Sequence, residues 1–450
     1  MNLPGTNQKA WGLKYTTGLT DGVRLMLGCV LIALCCGVFG VMGNPGALWA
    51  QGFDSSALIK MHERAPEFPS AMPGPLLPSS ASLPSPSGPG GATGIRPPQS
   101  PGGPAPGTGL AEPSVTWINS PPHSMAGLRG KVVLIDFWEY TCINCIRTFA
   151  ENKKWYERYH KYGFEIIGVH CPEFDIAYRV GNVRSAVKRF GLPYPVVVDD
   201  HFQIWRAYHN STWPNRFLID SKGIIRYDRS GEGGDNALEH AIQQLLEEAH
   251  PGLKFPASYT IPPEKNAFAP SCGLTTPEMY VGFWHGQGIL ANQQGYHKGK
   301  TLDYALPASV EDGHAAVSGR WETDNGRNPD QSNGMIYRGK KKGQGASRDE
   351  LEMRYHAREL YAVMNVEHGH PERVYIRQDG KDLTPKNKGV DVQLDAQGHS
   401  YLEVREPRMY YLVANPGSGS HQVELFPTRA GLTINSFTFG NDCQTDFPHL

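Results

Sequence analysis

Cysteine, net charge and long apolar runs are all scarce in this sequence. Eight cysteines in 450 residues are too few for a scaffold held together by disulfides. Lysine and arginine number 43 against 44 aspartates and glutamates, so no basic excess indicates a nucleic acid partner. The sequence has one Cys-x-x-Cys motif, and neither a second such motif nor a histidine pair at zinc-finger spacing follows it. This argues against a four-ligand zinc site. A chain of this length accommodates two or three domains.

One uncharged apolar segment, residues 25–42, lies near the N-terminus, and Lys9, Lys14 and Arg24 precede it. Its length is at the lower end of what spans a bilayer. The basic flank predicts a cytoplasmic N-terminus at 1–22, a single transmembrane helix at 23–43 in the cell membrane, and extracytoplasmic, periplasmic domains after it. A signal peptide cleaved after Ala50 is the alternative, and the chain would then be secreted.

Residues 44–113 are dominated by proline, glycine and serine. Such a composition cannot bury a core, and it predicts a disordered, semi-flexible linker without specific contacts. We expect this linker to hold the following domain away from the membrane.

An apolar run at residues 132–135 leads into Cys142-x-x-Cys145, and an amphipathic helix is predicted to follow. A cysteine at a helix N-terminus favours the thiolate form, so Cys142 is predicted to be the attacking sulfur. Cys145, one turn later, is then placed to resolve a mixed disulfide. This chemistry needs no cofactor beyond the redox-active pair. The alternative is a static structural disulfide, although closing so short a loop gains little stability.

The segment 136–147, Asp-Phe-Trp-Glu-Tyr-Thr-Cys-Ile-Asn-Cys-Ile-Arg, resembles the thioredoxin superfamily and in particular the thioredoxin-like part of TlpA- and DipZ-type proteins. Further matching segments are 169–174, 182–189, 205–208 and 213–220. The resemblance covers residues 114–250 and implies an α/β thioredoxin-like domain. Predicted strands lie at 115–118, 132–138, 164–169 and 194–198, predicted helices at 145–161, 182–190, 202–208 and 236–248, and a hairpin at 216–228.

Asp136 lies inside a strand that is otherwise apolar on both faces. Desolvation there should raise the pKa of its carboxyl, so that it can exchange a proton with Cys145. The resemblance implies the same role. It also implies that Trp213 and Pro214 shape the substrate groove, with a cis bond before the proline.

Glu139 and Arg147 flank the motif. A carboxylate there opposes thiolate formation and a guanidinium favours it, while solvated surface charges are equally compatible with the sequence. Cys171 is predicted to be a small buried hydrophobe, with a third redox thiol as the alternative. Peroxiredoxins carry a threonine three residues before the peroxidatic cysteine; Glu139 stands there and Thr141 is adjacent, which argues against a thiol peroxidase.

After a connector at 251–273, residues 274–450 carry short alternating segments such as 351–356, 360–366, 374–376, 410–413 and 421–426. Turn residues between them predict an all-β sandwich. This region resembles the jelly-roll, carbohydrate-binding-module-like domain that follows the thioredoxin-like part of DipZ-type proteins. Trp284 and Trp321 are candidates to stack on a sugar ring, with burial in the core as the alternative. Cys272 and Cys443 bracket the region and are candidates to pair.

These features predict a membrane-tethered, extracytoplasmic thiol-disulfide oxidoreductase. The resemblance favours reduction of protein disulfides, with cytochrome c maturation or disulfide repair as candidate settings. DipZ-type proteins usually carry a multi-span membrane domain that this sequence lacks, so we expect a separate membrane thiol reductase as electron donor. The alternative from another class is a binding protein whose β-sandwich recognises a glycan or an envelope partner.

Overall fold

The computed structural model describes residues 63–69, 115–258, 274–323, 334–340 and 349–441. The predicted anchor at 23–43, most of the linker, most of the connector, and Cys272 and Cys443 lie outside these described residues. Within them, no helix combines the length and the apolar character needed to cross a membrane.

A six-stranded sheet forms the first region. Its strands are β1 (Thr116–Ile118), β2 (Val132–Trp138), β3 (Phe164–His170), β4 (Val196–Val198), β5 (Asn215–Ile219) and β6 (Ile225–Ser230). They follow the order β1-β4-β3-β2-β5-β6, in which β2, β3 and β4 run parallel and the other pairs run antiparallel. The helices are α1 (Ile143–Tyr159), α2 (Val180–Phe190), α3 (Gln203–Ala207) and α4 (Asp235–Ala249). Each strand and helix predicted between 115 and 250 is present, with ends shifted by a few residues.

The central strand β2 positions the site. All seven of its residues are buried, because parallel β3 covers one edge, antiparallel β5 covers the other, and helices pack on the faces. Its apolar side chains fill the core, and Asp136 is buried with them. The chain leaves β2 after Trp138 and enters α1 at Cys142, whose sulfur accepts a hydrogen bond from the Cys145 amide at 3.2 Å. The dithiol motif therefore caps the N-terminus of α1.

The expected linker is interrupted by an ordered contact, so the prediction of a contact-free spacer is wrong for residues 63–69. Arg64 forms an isolated bridge with Ile224. Phe68 is buried edge-on against Trp117, with ring centroids 5.4 Å apart, and the Glu67 carboxylate accepts from the Met125 amide at 2.6 Å. Burial of a single phenylalanine offsets part of the entropy cost of ordering this segment. One such residue is not visible in a composition averaged over 70 residues.

The second region is all β, as predicted. Its strands form one connected eleven-stranded sheet among the described residues. They are β7 (Met279–Tyr280), β8 (Thr301–Tyr304), β9 (Ala315–Thr323), β10 (Met335–Tyr337), β11 (Glu350–Val366), β12 (Glu372–Gln378), β13 (Lys381–Asp382), β14 (Gln393–Leu394), β15 (Ser400–Val404), β16 (Arg408–Pro427) and β17 (Leu432–Gly440).

The two longest strands correct the sequence analysis. The segments 351–356 and 360–366 belong to the single strand β11, and 410–413 and 421–426 belong to β16. Between the segments of β11, register shifts near Ala357 and Leu360 keep it paired with β16 while its backbone bends. The alternation of apolar and polar residues is therefore interrupted at a bulge, although the strand continues through it.

Candidate functional site

Cys142 and Cys145 form a disulfide at the N-terminus of α1, with their Cα atoms 5.3 Å apart. Cys142 is partly exposed, whereas Cys145 is fully buried. An incoming thiol or disulfide therefore reaches the sulfur of Cys142 first. The unpaired amides and the positive end of the helix dipole lie beside this sulfur and favour its thiolate form. The arrangement suits reversible exchange between a dithiol and a disulfide.

Asp136 is completely buried in the middle of β2. Its Oδ2 accepts a hydrogen bond from Asn152 Nδ2 at 2.8 Å. Burial raises the pKa of the carboxyl to about 7, while the nearby Arg216 charge and the Asn152 hydrogen bond oppose the increase. The raised pKa agrees with the sequence prediction. Asn152 follows Cys145 by two helical turns, so the carboxyl packs under the face of α1 that carries Cys145.

Arg216 is a buried cation that sequence reasoning missed. It is paired opposite Asp136 in the β2–β5 ladder, and its guanidinium donates to Asp235 at 2.6 Å and to the Gly233 carbonyl at 2.9 Å. An arginine inside the apolar strand 215–219 was the available signal, because a charge in a central strand requires a buried partner. Its charge keeps the Asp136 pKa lower than burial alone would make it.

The peptide bond between Trp213 and Pro214 is cis, as the resemblance implies. Pro214 is buried and directly precedes β5; the register of β2 with β5, carried one residue further, places it opposite Trp138. Trp213 is partly buried and packs on Trp205, with ring centroids 4.4 Å apart. Pro214 therefore lies next to the C-terminal end of β2, from which the chain continues to the two cysteines.

Glu139 and Arg147 are both buried, which excludes the solvated-surface interpretation of these charges. Glu139 Oε2 accepts from the Thr141 amide at 2.5 Å, and its Oε1 lies 3.7 Å from Nε2 of buried His170. Arg147 forms ion pairs with Glu232 and with Glu359 of β11. Sequence reasoning could not foresee these partners, because they lie 85 and 212 residues further along the chain.

Two glutamates, Glu173 of the first region and Glu278 of the second, meet near Glu139. The Tyr280 hydroxyl donates to Glu173, which follows β3, and lies 3.3 Å from an oxygen of Glu278. Desolvation raises the pKa of Glu278 to about 7 and that of Glu173 well above its usual range. Across the described ranges, no group of histidine, cysteine, aspartate and glutamate side chains is arranged to hold a metal ion.

Cys171 is fully buried, as predicted for a small hydrophobe. Burial, together with the neighbouring Asp199 carboxylate, raises the pKa of its thiol well above the usual value. Its sulfur donates to Asp199 Oδ2 at 3.7 Å. A buried thiol held in its protonated form is a poor nucleophile, so the third-thiol alternative loses support.

The two candidate sugar-binding tryptophans have different environments. Trp321 is completely buried in the core of the second region, and its Nε1 donates to the Ser318 carbonyl at 2.8 Å. It is a core residue and offers no face to a ligand. Trp284 is partly exposed, and Lys298 Nζ lies 4.3 Å from the centroid of its ring.

Comparisons with known proteins agree with this architecture. A model of the AhpC/TSA family matches residues 112–228, and a model described as the thioredoxin-like C-terminal domain matches residues 276–440. The chain is 33% identical over 335 residues to Protein DipZ of Mycobacterium tuberculosis, which covers 72% of this chain and 41% of DipZ. The chain therefore spans about two fifths of that relative.

Two shorter matches each cover less than a third of the chain. Thiol-disulfide oxidoreductase ResA of Geobacillus thermodenitrificans is 33% identical over 129 residues, which cover 29% of this chain and 69% of ResA. The crystal structure of a thiol-disulfide isomerase from Corynebacterium glutamicum is 26% identical, with a TM-score of 0.27, and covers 29% of this chain and 90% of that one.

The fold and the disulfide at the start of α1 define a thioredoxin-like redox region joined to a large β region. In this chain the cysteine pair caps the N-terminus of α1, and Asp136 is buried in the strand that precedes it. The chain belongs to the family of thioredoxin-like thiol-disulfide oxidoreductases.

Proposed function

We propose that this protein is an extracytoplasmic thiol-disulfide oxidoreductase that reduces protein disulfides through Cys142 and Cys145. The observation that carries the proposal is the asymmetry of the pair: Cys142 is partly exposed at a helix N-terminus, and Cys145 is buried behind it. The exposed thiol can attack the substrate, and the buried thiol beside it can then resolve the mixed disulfide, so the enzyme is not trapped in that state.

The reaction proceeds in two exchanges. The Cys142 thiolate attacks one sulfur of the substrate disulfide, which forms a mixed disulfide and releases the other substrate sulfur as a thiolate that takes a proton from solvent. The Asp136 carboxylate accepts the proton of Cys145. The Cys145 thiolate then attacks the sulfur of Cys142, forms the Cys142–Cys145 disulfide and releases the second substrate sulfur as a thiolate, which takes a proton from solvent. The enzyme is oxidised by two electrons and the substrate is reduced by two.

Asp136 is suited to this transfer because its pKa of about 7 leaves both protonation states populated near neutral pH. Its hydrogen bond to Asn152 fixes it under α1. Trp213 packs on Trp205, and Pro214 has a rigid ring. Together Trp213 and Pro214 would form a fixed wall of the substrate groove beside the cysteines. No bound cofactor is needed, since the Cys142–Cys145 dithiol itself supplies the two electrons.

The setting of this activity is proposed from the N-terminal sequence. We propose that the segment 23–43 anchors the chain in the cell membrane, with the domains on the periplasmic side, and that a separate membrane thiol reductase returns electrons to the disulfide. Cytochrome c maturation or disulfide repair would supply the oxidised protein substrates. The uncharged segment and its basic flank support this orientation.

We also propose that the second region is a jelly-roll sandwich. One buried core contains residues from both ends of the sheet order, such as Tyr304 of β8 and Leu402 of β15. A core shared by strands so far apart in the sheet order is expected where the sheet folds over itself. The glycan-binding alternative retains Trp284, whose partly exposed ring can stack on a sugar, but loses Trp321.

The test is reduction of insulin by the full chain in detergent, with dithiothreitol as electron donor. Cys142→Ala is expected to abolish the activity above the uncatalysed rate, and Cys145→Ser to accumulate a mixed disulfide with the substrate. Cys171→Ala is the matched control and should retain wild-type activity, because its thiol is buried and protonated. Wild-type activity in the Cys142→Ala variant would refute the proposal.

A further inference from the structure

Arg147 connects the cysteine motif to the second region. It follows Cys145 by two residues, and its side chain is 1% exposed. Its Nη1 lies 3.4 Å from Oδ1 of Asn144, one of the two residues between the cysteines, and 3.5 Å from Glu232. Its Nη2 lies 3.3 Å from Glu359 Oε2. One guanidinium therefore contacts the Cys-x-x-Cys turn and two carboxylates.

Glu359 belongs to β11 of the second region and is held in place independently of Arg147. Its Oε2 accepts from the Tyr361 hydroxyl at 2.6 Å, and its Oε1 accepts from the Tyr411 hydroxyl at 3.0 Å. The two tyrosine rings stack with centroids 4.5 Å apart. Two neutral donors thus fix a 3% exposed carboxylate against the active-site helix.

The surroundings keep Arg147 charged. Burial alone lowers the pKa of its guanidinium, but Tyr361, Glu232 and Glu359 offset this effect and the pKa is raised. In a buried site a charge acts on its neighbours with little screening by solvent. The positive charge therefore acts at the Asn144 side of the motif, and each carboxylate reduces its effect there.

We propose that Glu359 is a positioning residue through which the second region sets the redox potential of the Cys142–Cys145 pair, by holding and neutralising Arg147 beside Asn144. A cation near the motif stabilises the thiolate, and stabilising the reduced form makes the pair more oxidising. Glu359 weakens that effect and keeps the pair more reducing. The proposal rests on the redox function proposed above, and it makes the β region part of the redox centre.

The test is Glu359→Gln in the full chain, titrated against reduced and oxidised glutathione. Glutamine keeps the shape and loses the charge; its oxygen can accept from one tyrosine hydroxyl, while its amide nitrogen can donate to the hydroxyl oxygen of the other. The equilibrium constant is expected to shift about tenfold toward the dithiol, which corresponds to about 30 mV more positive potential. The pH profile of Cys142 alkylation should move to lower pH, because a thiolate beside a less neutralised cation forms more readily.

The control is Glu406→Gln, which removes a second ion pair between the regions, Arg189–Glu406 at 3.0 Å. Both partners of that pair are partly exposed, and the expected shift in potential is less than twofold in the equilibrium constant. An unchanged potential in folded Glu359→Gln would overturn this inference alone. A wild-type chain without any two-electron transition would instead overturn the proposed function.

A second variant separates an effect through Arg147 from a direct effect of Glu359. In an Arg147→Gln background, adding Glu359→Gln should leave the potential within twofold of that background, since the charge that Glu359 neutralises is already absent. A full tenfold shift there would show that Glu359 acts on the sulfurs directly and would overturn the route through Arg147. If Arg147→Gln does not fold, the Glu359→Gln comparison still decides whether the β region sets the potential.

Discussion

Replacing Asp136 by asparagine should stabilise the fold while impairing turnover. The carboxyl is fully buried, and its pKa rises from 3.8 to about 7. Each pKa unit corresponds to about 1.36 kcal/mol, so the charged carboxylate costs on the order of 4 kcal/mol of folding free energy above pH 7. Asparagine has nearly the same shape, keeps an oxygen for the Asn152 amide and carries no charge.

The sign of the pH dependence follows from the direction of the shift. Below about pH 4 the carboxyl is protonated in both the folded and the unfolded chain, so it imposes no penalty. Between pH 4 and pH 7 the unfolded chain loses this proton and the folded chain retains it, and the wild type loses stability as the pH rises. The stabilising effect of Asp136→Asn should therefore be about 1–2 kcal/mol at pH 5 and about 4 kcal/mol at pH 8.

The measurement is urea unfolding of the oxidised wild type and the oxidised variant at pH 5 and pH 8, compared at equal m-values. The insulin assay should show slower turnover of the variant, with a larger fraction of enzyme in the mixed disulfide, since Cys145 loses its proton acceptor. An equal change in stability at both pH values would refute the raised pKa. Unchanged turnover would refute the role of Asp136 in proton transfer.

Two further substitutions test the packing around the site. Gly168→Ala should cost about 1–3 kcal/mol of unfolding free energy, because a Cβ there would lie 2.9 Å from Nε1 of Trp138, and a cost below 0.5 kcal/mol in urea unfolding would contradict that contact. Tyr280→Phe should cost about 1 kcal/mol of unfolding free energy, because Glu173 loses its hydroxyl donor; no measurable cost in urea unfolding would be the contrary result.

The first region was predictable because its signals are local. The apolar run of β2, the motif at the start of α1 and the turn in the β5–β6 hairpin each fix structure within a few residues. The burial of Asp136 was predictable for the same reason, since a carboxylate inside a fully apolar central strand has no solvated face available. Residues 63–69 escaped prediction because one buried phenylalanine is lost in a long proline-rich average.

The charged surroundings of the motif were not predictable. Glu139 and Arg147 look like surface charges from their neighbours in sequence, and only the fold brings Glu359 to Arg147. Pairing a buried charge needs one partner at close range, which can come from any position in the chain. Nothing in the alternating pattern of β11 distinguishes Glu359 from the exposed residues of that strand, and yet it is 3% exposed.

The ion pairs between the two regions bear on how the redox chemistry is organised. Separating the regions would take Glu359 from Arg147 and would leave Glu232 as the remaining carboxylate at that guanidinium among the contacts described. Separation would also expose to solvent the side of the guanidinium that Glu359 covers, while the guanidinium would still contact Asn144 inside the motif. The properties of the cysteine pair therefore belong to the two regions together. A redox region studied alone would carry a different potential from the same residues in the full chain.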